Sequence, residues 1–198
     1  MSELFPILDA ALAHTTEESG LWLACRPGCH QCCVGVFAIS QLDAENLRTG
    51  LNAAPPEVAA RIRNRIAEAQ QRLHAEFPGD PNTGLLFTAP EHKESFEDFA
   101  NDEPCPILDP ETGTCDLYAS RPVTCRTFGP PMRDEEDHLT VCDLCFVDAP
   151  PEEVARCEMN QDWRPLEHTL IADAEERSGL HGSTIIAFAF PSAPKSFL

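Results

Sequence analysis

Residues 25–33 read CRPGCHQCC, four cysteines in nine positions. A disulfide knot, a metal cage and the cofactor loop of a radical enzyme all suit such a run. The knot needs an oxidising compartment, and the sequence points away from one. The first residues, MSELFPILDAALAHTTEESG, show no basic leader, and Glu3 and Asp9 stand where a signal peptide is apolar. Cys32 and Cys33 are neighbours, so their α-carbons lie about 3.8 Å apart, shorter than the roughly 4.4–6.8 Å of a relaxed disulfide. Clustered thiols in a reducing compartment point instead to metal or redox chemistry. Adjacent thiols also point in different directions and do not easily share one mononuclear ion. Either one of them ligates while the other packs, or each serves a different site.

Cys25-x3-Cys29-x2-Cys32 matches the loop of radical S-adenosylmethionine enzymes. That loop follows the first strand of a βα barrel, whereas here a helical pattern precedes it and no βα repeat follows. The radical reading is set aside on that ground.

Composition narrows the partners. Among 198 residues, 33 are acidic and 14 basic, for a formal charge of −19. Such a balance opposes binding to nucleic acid or to an anionic membrane surface. Solubility is the ordinary reason for it, and a protein partner, if there is one, is expected to be cationic. No run approaches the about 18 apolar residues of a membrane span, and TIIAFAF at 184–190 is far too short. The expectation is a cytoplasmic protein forming one domain over residues 1–198. With 42% hydrophobic residues it has enough apolar material for a core without cysteine staples.

The periodicity predicts a mainly α protein. Leu4, Leu8 and Leu12 space a helix over Leu4 to about Glu18, with Pro6 tolerable near its start. Ser40 and Asp43 in SQLD form a capping box before a helix to about Thr49. Pro55-Pro56 open the strongest helix, in which Val58, Ile62, Ile66, Ala69 and Leu73 share a face and Pro78-Gly79 end it. Arg61, Arg63, Arg65 and Arg72 on that helix read as a solvated face. Residues 78–90 read as loop, CPILDPETGTCDLY as a hairpin around Asp109, Pro110 and Gly113, and Ser120-Arg121-Pro122 as the start of a short helix carrying Cys125. DEED at 134–137 reads as an exposed acidic tip. A last helix, about Pro165 to Arg177, closes at Gly179 with Leu166, Leu170, Ile171 and Ala174 as core. The fold expected is a compact helical domain with one small β-hairpin and cysteine-bearing loops around a metal centre.

The ten cysteines fall into three sets: Cys25, Cys29, Cys32 and Cys33; Cys105, Cys115 and Cys125; and Cys142-x-x-Cys145 with Cys157 beyond. Thiolates are soft ligands that favour zinc or iron–sulfur clusters, usually four to a site. Ten cysteines fill two such sites with two left over, or one site with several packed bystanders.

With these sets in place the chain resembles the YkgJ-like cysteine-cluster proteins, a family described as zinc- or iron-chelating with a C-x2-C-x2-C-C signature. The second family segment, C-P-x-L-D…G-x-C-x-x-Y-x-x-R-P-x-x-C-R-x-F, is matched by CPILDPETGTCDLYASRPVTCRTF at 105–128. The first signature, at 25–33, differs by one residue between Cys25 and Cys29. The resemblance implies a metal role for Cys25, Cys29, Cys32, Cys33, Cys105, Cys115 and Cys125. Arg121 and Arg126 match its R-P-x-x-C-R segment and suit guanidinium donors that offset surplus thiolate charge. Cys142, Cys145 and Cys157 lie outside these motifs and suggest a second site. A related cysteine cluster occurs in a flagellin lysine N-methylase, where it is linked to an iron–sulfur cluster, and that favours iron by analogy.

No G-x-S-x-G, Walker A or G-x-G-x-x-G motif appears, and no carboxylate pair stands out for acid–base work. His30 and His138 are further candidate ligands or solvated loop residues. The leading expectation is a metal-binding protein with a 4Fe–4S cluster in a redox, sensing or partner-supporting role. Its rivals are a structural zinc module and a cluster-bearing enzyme such as a methyl-transferring or maturation factor.

Overall fold

A computed structural model describes residues 2–134 and 137–190. Among the described residues it is mainly α, as the periodicity requires, with three two-residue antiparallel strand pairs. The chain divides into two compact units, residues 1–29 with 123–170, and residues 30–122 with 171–198. No helix among the described residues is long and apolar enough to cross a membrane.

The first unit begins with α1 (Leu4–Ser19). Pro6 sits in its first turn, where its missing N–H costs nothing. Leu4, Phe5 and Leu8 are buried on one side, against which the short α5 (Val123–Thr127) packs. The Arg126 guanidinium lies 5.1 Å from the centroid of the Phe5 ring and pairs with Asp9. Further along come a strand pair, β5 (Met132–Arg133) with β6 (Leu139–Thr140), and the short helix α6 (Pro151–Arg156). Leu23, Cys145, Phe146 and Cys157 make a small core of their own.

The second unit is organised by two helices. Ser40 starts α2 (Gln41–Ala53): its hydroxyl accepts the Asp43 amide at 3.1 Å, and the Asp43 carboxylate accepts the Ser40 N–H at 3.2 Å. This is the expected capping box, and the helix runs four residues beyond Thr49. Pro56 then occupies the first turn of α3 (Pro56–Leu73), whose Ala59, Ile62, Ile66, Ala69 and Leu73 are buried. The apolar run at 184–190 closes this core. Ile186, Ala189 and Phe190 pack with Leu47, Leu51, Ile62 and Ile107, while Phe188 stacks on Phe77 at 4.1 Å.

Several expectations are corrected. Residues 78–90 hold a strand pair, β1 (Gly79–Asp80) with β2 (Leu85–Leu86), rather than loop alone. Asp80 closes that turn by accepting the Asn82 N–H at 2.9 Å and the Thr83 hydroxyl at 3.0 Å. Pro90 then starts α4 (Pro90–Glu97). The final helix, α7 (Arg164–Ser178), buries only Ala174 fully; Leu166, Leu170 and Ile171 are half-buried, because its apolar residues do not gather into one stripe. The arginines of α3 are not a uniformly solvated face. Arg65 pairs with Asp116 and donates to the Pro106 carbonyl at 2.9 Å, and Arg72 pairs with Glu103. Of the acidic tip, Asp134 is half-buried and Asp137 exposed, and Glu135 and Glu136 lie outside the described residues.

Candidate metal centre

The second unit gathers one set of thiols. Cys32 and Cys33 sit on a single 3₁₀ turn, Gln31–Cys33. Their strand-like continuation runs antiparallel to the segment before the hairpin: the Cys105 amide donates to the Cys33 carbonyl at 2.7 Å, and Gly35 donates to Glu103 at 2.9 Å. Val34 bridges Pro104 between them. The hairpin β3 (Leu108–Asp109) with β4 (Thr114–Cys115) then turns Cys115 back, pairing it with Leu108. Arg72 and Arg65 anchor the two flanks of this segment, at Glu103 and Asp116. Those arginines are seven residues apart on α3, and that spacing on one helix face is the signal that could have singled them out.

The electrostatics tie these sulfurs together. The Cys33 thiol hydrogen-bonds to Cys32 and holds the Cys32 thiol down to about 6, helped by a backbone hydrogen bond, Arg121 and His30 against the opposing effect of burial. Burial pushes Cys105 up to about 12, with Cys115 and Cys32 adding repulsion. Burial also raises Cys115, while Arg121 opposes it. Arg121 is buried; its guanidinium lies 3.9 Å from the Tyr118 ring centroid and donates to the Tyr118 carbonyl at 3.0 Å. Its charge acts on both Cys32 and Cys115.

The first unit gathers a different set. Arg26-Pro27-Gly28-Cys29 forms a tight turn, with the Cys29 amide on the Arg26 carbonyl at 2.9 Å and Gly28 at φ +90°. Proline followed by a positive-φ glycine is the pattern of a type II turn. Cys142 to Cys145 forms another, closed by the Cys145 amide on the Cys142 carbonyl at 2.8 Å. Flanking these turns, the Phe146 amide donates to the Trp22 carbonyl at 2.7 Å and the two rings stack. Cys145 and Cys29 both act electrostatically on the thiols of Cys25 and Cys142. Burial, then Cys145, drives Cys25 up to about 12. Cys25 is exposed as a residue, yet its sulfur lies against the backbone of Gly129, where an added Cβ would meet it at 2.2 Å.

The remaining candidates are placed apart from these contacts or beside them. Cys157 is fully buried, and its thiol points to the Glu18 carbonyl at 3.7 Å. Cys125 is half-buried on α5, and the neighbouring Arg126 is committed to Asp9. His138 is exposed and turned to Asp134 at 3.4 Å. CRPGCHQCC is thus divided, with Cys25 and Cys29 in one unit and Cys32 and Cys33 in the other. Nothing in the spacing alone signals that division. Among the described residues no three His, Cys, Asp or Glu side chains are gathered tightly enough to hold an ion as they stand, so ligation requires the thiols to close further. The donor sets themselves suit a soft cation: thiols that repel one another as thiolates gain when a metal replaces their protons.

A helical protein with coupled thiol groups of this kind is a cysteine-cluster metal-binding protein. The chain belongs to the family described as "CxxCxxCC: Putative zinc- or iron-chelating domain", whose model matches residues 24–146. That span includes every cysteine of both thiol groups and ends before Cys157. No curated protein and no solved structure matches the chain.

Proposed function

We propose that this protein holds an iron–sulfur cluster through Cys32, Cys33, Cys105 and Cys115 and serves a redox, sensing or partner-supporting role in a reducing compartment such as the cytoplasm. The observation that carries the reading is the grouping of Cys32 and Cys33 with Cys105 and Cys115. Two of these four thiols are sequence neighbours, which suits a multi-iron cluster better than a single ion. Neighbouring ligands can bind different irons of a cluster, whereas one zinc needs all four sulfurs to converge on a point. Arg121 supports the same reading by placing a buried cation beside the thiols, where it offsets the charge of a thiolate-ligated cluster. When bound, such a cluster supplies one-electron redox chemistry.

Anaerobic purification tests the proposal. Brown protein absorbing broadly near roughly 400 nm, with iron and acid-labile sulfide, is the expected result. Colourless protein with stoichiometric zinc in these thiols would replace the iron reading with that of a structural zinc module.

A further inference from the structure

We infer that a cavity in the second unit binds a small monocarboxylate with an apolar body and a hydrogen-bond donor at its far end. The cavity is lined from α2, α3, the β1–β2 turn and the closing run at 184–190, and it includes no cysteine. Its volume is about 250 Å³. Pockets for drug-sized ligands span roughly 300–1,000 Å³, so the occupant is smaller than those.

Three polar side chains of the lining fasten the C-terminal part of the unit. Arg48 donates from Nη1 to the Ala189 carbonyl at 2.7 Å, and Gln41 donates to the Gly182 carbonyl at 2.9 Å. Gln70 donates to the carbonyls of Ala187 and Phe190 at 2.8 and 3.0 Å. These bonds account for the path of the chain, but they leave two groups over. One is the rest of the half-buried Arg48 guanidinium, whose Nε and Nη2 donate to nothing among the described residues. Glu45, one turn back on α2, is paired with Arg177 at 2.7 Å rather than with Arg48. Burial pulls the Arg48 pKa down, with Glu45 opposing. The other is the Gln41 carboxamide oxygen. Gln41 is only 2% exposed, yet its Oε1 has no partner among the described residues and is not sealed off from solvent.

These two groups set the chemistry of the ligand. No acidic residue lines the cavity, and a guanidinium with spare N–H groups in a partly dry site takes a carboxylate through charge-assisted hydrogen bonds. Gln41 and Arg48 stand seven residues apart on one face of α2, about 10 Å along its axis. The acceptor is therefore set apart from the cation, and it calls for a hydroxyl or N–H at the other end of the ligand. Leu180, Phe188 and Phe190 supply apolar wall, which suits an aromatic ring as the body. One cation among apolar walls matches a monoanion better than a phosphate dianion.

The test is isothermal titration calorimetry on the full chain purified without oxygen, with 4-hydroxyphenylacetate as the probe. Saturable one-to-one binding is expected. Affinity should fall about tenfold or more with 4-hydroxyphenylacetamide, which lacks the charge, and about threefold or more with phenylacetate, which lacks the donor. Arg48→Gln should lose as much as the amide does, and Arg48→Lys should recover part of it. Absence of saturable binding overturns the inference, as does equal binding of either analogue or undiminished binding in Arg48→Gln. Inorganic phosphate bound as tightly as the probe overturns it too, by showing a bare anion site. If Arg48→Gln loses its helical circular dichroism, Leu180→Trp takes its place, since it fills the cavity and leaves Arg48 intact. Binding lost in that variant supports the inference, and binding retained overturns it. None of these outcomes bears on the iron–sulfur proposal, which iron and sulfide content decides.

Discussion

The amide of Cys105 donates to the carbonyl oxygen of Cys33 at 2.7 Å. This bond ties the end of the first cysteine run to the start of the second. Two residues on, Gly35 stands at φ +87°, where an added Cβ would lie 3.0 Å from the Asn101 carbonyl oxygen.

Gly35→Ala should therefore loosen the pairing of the two segments. A left-handed backbone costs a non-glycine residue about 1–2 kcal/mol, and the close carbonyl adds to that. The expected result in urea unfolding is a loss of about that size, accompanied by faster labelling of Cys105. Unchanged stability and labelling would show that this ladder does not hold the thiols.

In reduced, metal-free protein the thiols should differ sharply in reactivity. Cys32, held down to about 6 chiefly by the Cys33 hydrogen bond, is largely thiolate at pH 7, whereas burial keeps Cys25 and Cys105 protonated until about 12. Thiolate is the nucleophile. Brief iodoacetamide pulses between pH 5 and pH 9 should label Cys32 first, with half-maximal rate near pH 6, and Cys33→Ala should move that midpoint upward. Equal labelling of Cys32 and Cys105 at pH 7 would contradict the arrangement.

The buried Arg126 guanidinium pairs with the half-exposed Asp9. Arg126→Ala should destabilise the protein by about 2–3 kcal/mol, because it removes a fully buried side chain that packs over the Phe5 ring as well as pairing with Asp9. Asp9→Asn should cost less, since Asp9 is half exposed and its amide can still accept a hydrogen bond. Denaturant unfolding of the two variants checks the order.

Asp109 shapes the hairpin turn that returns Cys115. Its carboxylate accepts the Glu111 amide and the Thr112 hydroxyl, which hold it below its usual 3.8. A carboxylate with a lowered folded-state pKa stabilises the fold above 3.8, and that stabilisation is lost as pH falls through the folded value. Asp109→Ala should thus be less stable than wild type at pH 7 and equal to it once the wild-type carboxyl is protonated, well below pH 3.8. A gap that persists there would assign the effect to something other than this charge.

The helices were legible because their signals are local. The capping box at Ser40 and the Ile62–Ile66–Ala69–Leu73 spacing act within a few residues, and both appear as expected. The turn at Asp80 was written in side-chain hydrogen bonds that composition reports only as loop. The division of CRPGCHQCC was not legible, because it depends on backbone bonds to Glu103 and Cys105 on one side and to Phe146 on the other. Those partners lie some seventy and one hundred and twenty residues away in sequence. Arg65 and Arg72 looked like surface charge for the same reason, since Asp116 and Glu103 come to them only in the fold.

The central claim is that Cys32, Cys33, Cys105 and Cys115 hold an iron–sulfur cluster. The most direct measurement is the iron and acid-labile sulfide content of anaerobically purified wild type beside Cys105→Ser/Cys115→Ser. The account predicts iron and sulfide in comparable amounts in the wild type and their loss in the double variant. Full iron and sulfide retained without Cys105 and Cys115 would contradict it.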